Sequence, residues 1–180
     1  MSTIVKILDN YDKLCAYCDG FFSSIHSMYT DDMRCAKGCS ACCKLHSVCA
    51  LEAFLIARHR AVQRSRMPPQ SKADLRRHAC AMLKKNGCVV YAARPIICRT
   101  HGLAISTDKR KTVCPTCALN FIKRDVRLLP KPHVFDSAAV TDNLMRLNLA
   151  FCMASGHPAL AAKRFTMEQV IFGRLPKCIL

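Results

Sequence analysis

Cys35-Ala36-Lys37-Gly38-Cys39-Ser40-Ala41-Cys42-Cys43 sets four thiols within one short run around a single glycine. Beyond Cys49, three more cysteines follow before residue 100, at Cys80, Cys88 and Cys98. Cysteine packs well as a small buried hydrophobe, but core positions do not bunch this tightly around a turn residue. Thiolates are soft, strong metal ligands, and short spacings let several converge on one centre. The run therefore predicts a fold organised around a cysteine-ligated metal site.

The rest of the composition fits that reading. A chain of 180 residues is one domain with room for a real core. No apolar run approaches the roughly 18 residues of a membrane span. Met1-Ser2-Thr3-Ile4-Val5-Lys6 soon meets Asp9 and Asp12, unlike an export signal, so the expectation is a cytoplasmic protein. In a reducing compartment, fourteen cysteines mean metal or redox chemistry rather than a disulfide frame. The formal net charge is +16. It concentrates in residues 58–85 and 94–127, whereas residues 1–33 are net acidic. Such a surplus attracts acidic partners, and part of it would offset metal-bound thiolates. No aromatics interleave with the basic residues, which disfavours nucleic acid as the partner.

Hydrophobic periodicity predicts a mainly α domain with a short β-hairpin. Ile4, Ile7, Leu8, Tyr11, Leu14, Cys15, Cys18, Phe21, Phe22, Ile25 and Met28 recur at helical steps over residues 3–29. A second helix is expected over 46–64, carrying Val48, Leu51, Phe54 and Leu55 inward. A third should open at the capping box Ser71-Lys72-Ala73-Asp74, bury Leu75, Ala79, Met82 and Leu83, and stop at Asn86-Gly87. A short extended piece is expected at 88–91. Residues 103–106 and 111–113 read as a hairpin. Helices are expected over 136–154 and from about 166 to Gly173. The domain 1–180 thus divides into an N-terminal helix (1–33), a cysteine-cluster core (35–121) and C-terminal helices (134–173).

Cys35-x3-Cys39-x2-Cys42 has the spacing of the radical-SAM motif. Ala41 stands where an aromatic is usual, however, and the strand–helix repeats of that barrel are missing. The whole pattern more closely resembles the CxxxCxxCC cysteine-cluster family, also called the YkgJ family, a zinc- or iron-chelating domain. The resemblance rests on Cys35 to Cys43, Cys80, the stretch Cys88-Val89-Val90-Tyr91-Ala92-Ala93-Arg94-Pro95-Ile96-Ile97-Cys98-Arg99-Thr100-His101-Gly102, Cys117-Ala118-Leu119-Asn120-Phe121, and the later Asn143-Leu144 and Leu147-Asn148. It implies a metal site built by Cys35, Cys39, Cys42, Cys43, Cys80, Cys88 and Cys98, with Cys117 as a further candidate. It leaves the metal open. A distant likeness to flagellin lysine N-methylase suggests an iron–sulfur cluster and methyl transfer, on a much longer chain than this one.

Four thiolates suit tetrahedral zinc or a [4Fe–4S] cube equally well, and seven or eight exceed one such site. Adjacent side chains point in different directions, so Cys42 and Cys43 rarely serve one mononuclear ion together. They either bridge two metals or divide into a ligand and a supporting sulfur. The balance favours a [4Fe–4S] cluster, with zinc as the alternative or an additional ion. Arg94 and Arg99 flank Cys98 and either temper an anionic cluster or form a plain salt bridge, for example with Glu52. His101 and His46 read as structural rather than ligating. Cys15 and Cys18 read as core, as do Tyr91, Cys49, Cys152 and Cys178. The basic runs at 58–66 and 109–111 read as solvated faces. The resulting expectation is a redox or electron-transfer module with an acidic protein partner. Its alternatives are a methyltransferase-like or redox enzyme with an open iron position, and a zinc-stabilised adaptor binding an acidic partner.

Overall fold

In the computed structural model, residues 2–36, 38–63, 79–84, 87–107 and 112–177 are described. Of these, 53% are helical, with the strands confined to sheets of two or three. The helices are α1 (Thr3–Met28), α2 (Ala50–Val62), α3 (Ile96–Thr100), α4 (Ser137–Ala154) and α5 (Met167–Ile171). The strands are β1 (Ser47–Val48), β2 (Leu83–Lys84), β3 (Gly87–Cys88), β4 (Ala104–Ser106), β5 (Val113–Pro115), β6 (Phe135–Asp136) and β7 (Phe165–Thr166). Among the described residues, no helix is long and apolar enough to cross a membrane.

Helix α1 follows its periodicity. Ser2 caps it by accepting the Val5 N–H, and Ile7, Tyr11, Cys15, Cys18 and Ile25 are buried along one stripe. The stripe ends before Met28, which is half exposed. This face packs on α4 and α3. Burying each large apolar side chain contributes about 1.5–3 kcal/mol, so the stripe alone suffices to anchor a long helix. Asp136 caps α4 through the Ala139 N–H. Thr166 and Gln169 form the reciprocal capping box of α5.

Pairing between distant segments corrects two expectations and extends a third. The second helix starts at Ala50, because Ser47 and Val48 pair antiparallel with Thr166 and Phe165. The helix expected to bury Ala79, Met82 and Leu83 does not include these residues. Leu83 pairs with Cys88 in the β2–β3 hairpin, around Gly87 at φ +118°. The expected helix start at Ser71–Asp74 lies outside the described residues. The hairpin at 103–113 forms as β4 with β5, in the register Ile105 to Cys114, and β6 joins β4 in parallel as a third strand. Phe135 of β6 is fully buried and meets Phe21 of α1 edge-to-face at 5.1 Å between centroids.

Two buried polar side chains lock these elements. Asn148 on α4 accepts the Leu51 N–H at 3.0 Å and donates to the Ala161 carbonyl at 3.0 Å. Glu52 on α2 accepts from the Ile96 N–H at 2.9 Å, the Tyr11 hydroxyl at 3.4 Å and the Cys49 thiol at 3.6 Å. Each group needs its partner, because a buried polar atom left alone costs about 1–3 kcal/mol. Asn148→Leu orphans two backbone groups, and the urea midpoint should fall by the equivalent of about 2 kcal/mol or more. An unchanged midpoint would remove Asn148 from the set of locking residues. Burial also raises the Glu52 pKa above its ordinary value of 4.5. The folded chain then holds this proton more tightly than the unfolded one, so ionisation of Glu52 costs stability as pH rises above 4.5. Glu52→Gln should flatten that part of the stability profile, measured by denaturation across pH.

Candidate metal centre

The cysteine run 35–43 is a string of tight turns. Cys39 N–H donates to the Ala36 carbonyl at 3.0 Å, Cys43 N–H to Ser40 at 3.0 Å, and Lys44 N–H to Cys42 at 2.8 Å. Gly38 takes φ +94°, a conformation open to glycine and strained for other residues. The turns leave Cys39 exposed, with Cys35, Cys42 and Cys43 half-buried.

Two further segments close on this run. On one side the Cys80 N–H bonds the Cys43 carbonyl at 2.8 Å, and the β2–β3 hairpin carries Cys88 back beside it. Helix α3, whose brevity hid it from periodicity, brings Cys98. On the other side, the buried Asn120 side chain donates to Cys35 Sγ at 3.2 Å and to the Gly102 carbonyl at 2.7 Å. Asn120 Oδ1 accepts the Arg34 N–H at 2.9 Å. The Leu119 N–H donates to Cys117 Sγ at 3.4 Å. Such N–H donors aimed at sulfur favour the charged thiolate that binds metal. Phe121 follows in the left-handed region at φ 56°, with its N–H donating to Asp32. A bulky residue holds that conformation only where its surroundings impose it.

The sulfurs also feel one another. Burial, then neighbouring thiols, pushes Cys42 up to about 11, with Cys43, Cys35 and Cys117 as the neighbours. Cys98 keeps an open face to solvent, yet partial burial and Cys80, Cys88 and Cys43 push it up to about 12. Cys35, Cys43, Cys80 and Cys88 are raised as well, each by burial first. A bound cation reverses this crowding, because it deprotonates its thiol ligands and screens them from each other. None of the cysteines among the described residues is in a disulfide. The donors suit zinc or iron. Among the described residues, no group of three or more His, Cys, Asp or Glu side chains already has the spacing to hold a metal ion.

The flanking residues sort as follows. Arg94 and Arg99 both pair with Asp19 of α1, at 2.7 Å for Arg94, and not with Glu52. Arg99 also bonds the carbonyls of Arg94 and Ala92, which fixes the loop before α3. The Arg94 charge also slightly favours the Cys88 thiolate, against the larger effect of burial. Tyr91 is not core: it is 64% exposed beneath the Arg94 guanidinium. Burial lowers the His101 pKa, and the Thr116 backbone partly offsets that shift. His46 is exposed, with its carbonyl accepting the Met167 N–H. Cys15, Cys18, Cys49 and Cys152 are buried in the core. Cys178 lies outside the described residues, as do 64–66 and 109–111 of the basic runs. Arg60, placed by its run on a solvated face, instead donates to the Val170 and Ile171 carbonyls at the end of α5.

Residues 34–118 match the CxxCxxCC family, described as a "Putative zinc- or iron-chelating domain". The resemblance expected from the cysteine spacing holds over that stretch, and it indicates chelation of zinc or iron there. No curated protein matches the chain, and no solved structure does.

Sequence reasoning left Gly102 and Asn120 without roles, although both stand in motifs it singled out. A Cβ at Gly102 would lie 2.7 Å from Cys35 Sγ and 2.9 Å from Asn120 Nδ2, at φ +102°. Gly102→Ala should therefore destabilise the fold by more than about 1 kcal/mol and speed alkylation of Cys35, read by thermal melting and peptide mapping. Unchanged Cys35 reactivity would dismiss the close approach as incidental.

Proposed function

We propose that this chain is a cysteine-ligated metal-binding module that carries an iron–sulfur cluster and passes electrons to an acidic protein partner in the cytoplasm. The observation that carries this reading is the approach of unbridged thiols from separate segments, half-buried apart from the exposed Cys39 and Cys98. Cys35, Cys39, Cys42 and Cys43 meet Cys80, Cys88 and Cys98 on one side and Cys117 on the other. N–H donors aimed at sulfur from an asparagine side chain and a turn backbone favour its charged form, the form that binds metal.

Iron is favoured over zinc by the number of sulfurs and by the doubled Cys42-Cys43, which one mononuclear site does not use. Zinc remains the competing ion, alone or beside the cluster. When bound, an iron–sulfur group supplies reversible one-electron chemistry. The protein's own part is to hold the sulfurs, to donate hydrogen bonds to them from Asn120 and Leu119, and to supply the Arg94 charge that favours the Cys88 thiolate. The sulfurs sit on loops and on a short helix, so drawing them inward around an ion leaves the α1–α4 core in place. The basic surplus of +16 supports the acidic partner.

Protein purified without oxygen should be brown, with iron and acid-labile sulfide in stoichiometric amounts. A colourless protein with stoichiometric zinc and no sulfide overturns the cluster assignment. Cys39→Ser and Cys98→Ser should lose metal and stability together, because metal binding is coupled to folding at sites of this kind. Cys178→Ser should lose neither.

A further inference from the structure

We infer that the cysteines form two separate metal centres divided between the adjacent residues Cys42 and Cys43, one from Cys35, Cys39, Cys42 and Cys117 and the other from Cys43, Cys80, Cys88 and Cys98. This rests on the reading of these thiols as ligands and goes beyond it by fixing which sulfurs act together.

The backbone keeps the two sets apart. The second is framed by the β2–β3 hairpin. Cys80 N–H bonds the Cys43 carbonyl, and Leu83 N–H bonds the Cys80 carbonyl at 2.9 Å. Leu83 then pairs with Cys88, and Val89 N–H closes the hairpin on Met82 at 3.0 Å. Cys43, Cys80 and Cys88 are thus joined by consecutive main-chain bonds. Helix α3 adds Cys98, held by its N–H to the Pro95 carbonyl at 2.9 Å and by the Glu52 carboxylate on the Ile96 N–H.

The first set is framed by Asn120. Its side chain holds Cys35 Sγ, and its N–H takes the Cys117 carbonyl at 3.2 Å. One residue thereby fixes the two outer members. Cys39 is folded back by its bond to Ala36.

Electrostatic neighbourhood follows the same division. Cys42 lies in the field of Cys35 and Cys117, and Cys35 in that of Cys117 and Cys39. Cys43 lies in the field of Cys88 and Cys80, and Cys98 in that of Cys80, Cys88 and Cys43. The contacts that cross are the adjacent pair itself and Cys39 with Cys43. Four thiolates complete one tetrahedral ion or one cubane, so eight in two sets of four leave neither centre short. The vicinal pair is then a boundary: successive residues at a turn send one sulfur to each side.

The test is a titration of the full-length, reduced, metal-free chain with cobalt(II) alone. It is followed by thiolate-to-cobalt absorption and by alkylation of each cysteine mapped by mass spectrometry. Two equivalents should bind, and protection should appear in two blocks matching the two sets. Cys117→Ser should drop binding to one equivalent and expose Cys35, Cys39 and Cys42 alone. Cys98→Ser should do the same for Cys43, Cys80 and Cys88. Saturation at one equivalent, or protection that mixes the sets, overturns the division while leaving the thiols as ligands. No thiolate-to-cobalt absorption at all overturns both readings. Should either variant fail to fold, the block pattern of the unmodified chain decides.

Discussion

Thiols that crowd together resist ionisation, and the structure around residues 35–117 is arranged about that constraint. Each half-buried sulfur lacks water to stabilise its charge, and each neighbour adds repulsion. The fold answers with N–H donors at Cys35 and Cys117 and with a guanidinium near Cys88. A soft cation completes the compensation, because it replaces several protons with one centre of positive charge. The same constraint explains why sulfur sits on turns and short elements. Turns bring backbone N–H groups and carbonyls near the sulfurs and allow them to shift as an ion binds.

Those turns need a rigid support, which the helices supply. Helix α1 runs beneath both sides: its Asp19 holds Arg94 and Arg99, and its His26 ring donates to the Cys35 carbonyl. Glu52 reaches from α2 to the first turn of α3, so the helix carrying Cys98 is fixed by a buried carboxylate rather than by its own length. Five residues of helix do not stand alone in water. Asn148 ties α4 to the start of α2 and to the turn at Pro158–Ala162. These few buried polar groups carry connectivity that the small strands are too short to provide.

The charge balance connects the centre to its proposed role. An acidic N-terminal segment lies against a basic cysteine core, and part of its acid is used internally, at Asp19 of α1 and at Asp32 beyond the end of that helix. Several arginines are used internally too: Arg60 on carbonyls, Arg94 and Arg99 on Asp19, Arg124 on Asp32, Arg127 on Asp125. This pairing leaves the formal net charge at +16, a surplus large enough to orient an acidic partner over tens of ångströms at low salt.

The sequence alone determined what is periodic or locally spaced. The stripe from Ile7 to Ile25, the helix starts near residues 136 and 166, and the cysteine spacing were all legible, because each depends on residues a few positions apart. Only the tertiary structure decided what depends on distant partners. Leu83 is a strand because Cys88 pairs with it, and Ser47 and Val48 are extended because Thr166 and Phe165 meet them. Helix α3 exists because Glu52 satisfies its first N–H. Asn120 gained its role, and the eight proposed ligands their division, only when residues 35, 80 and 117 came together in space. Periodicity records the face a residue buries; it does not record which distant backbone will satisfy that residue's hydrogen bonds, and at a site made of loops that second fact sets the geometry.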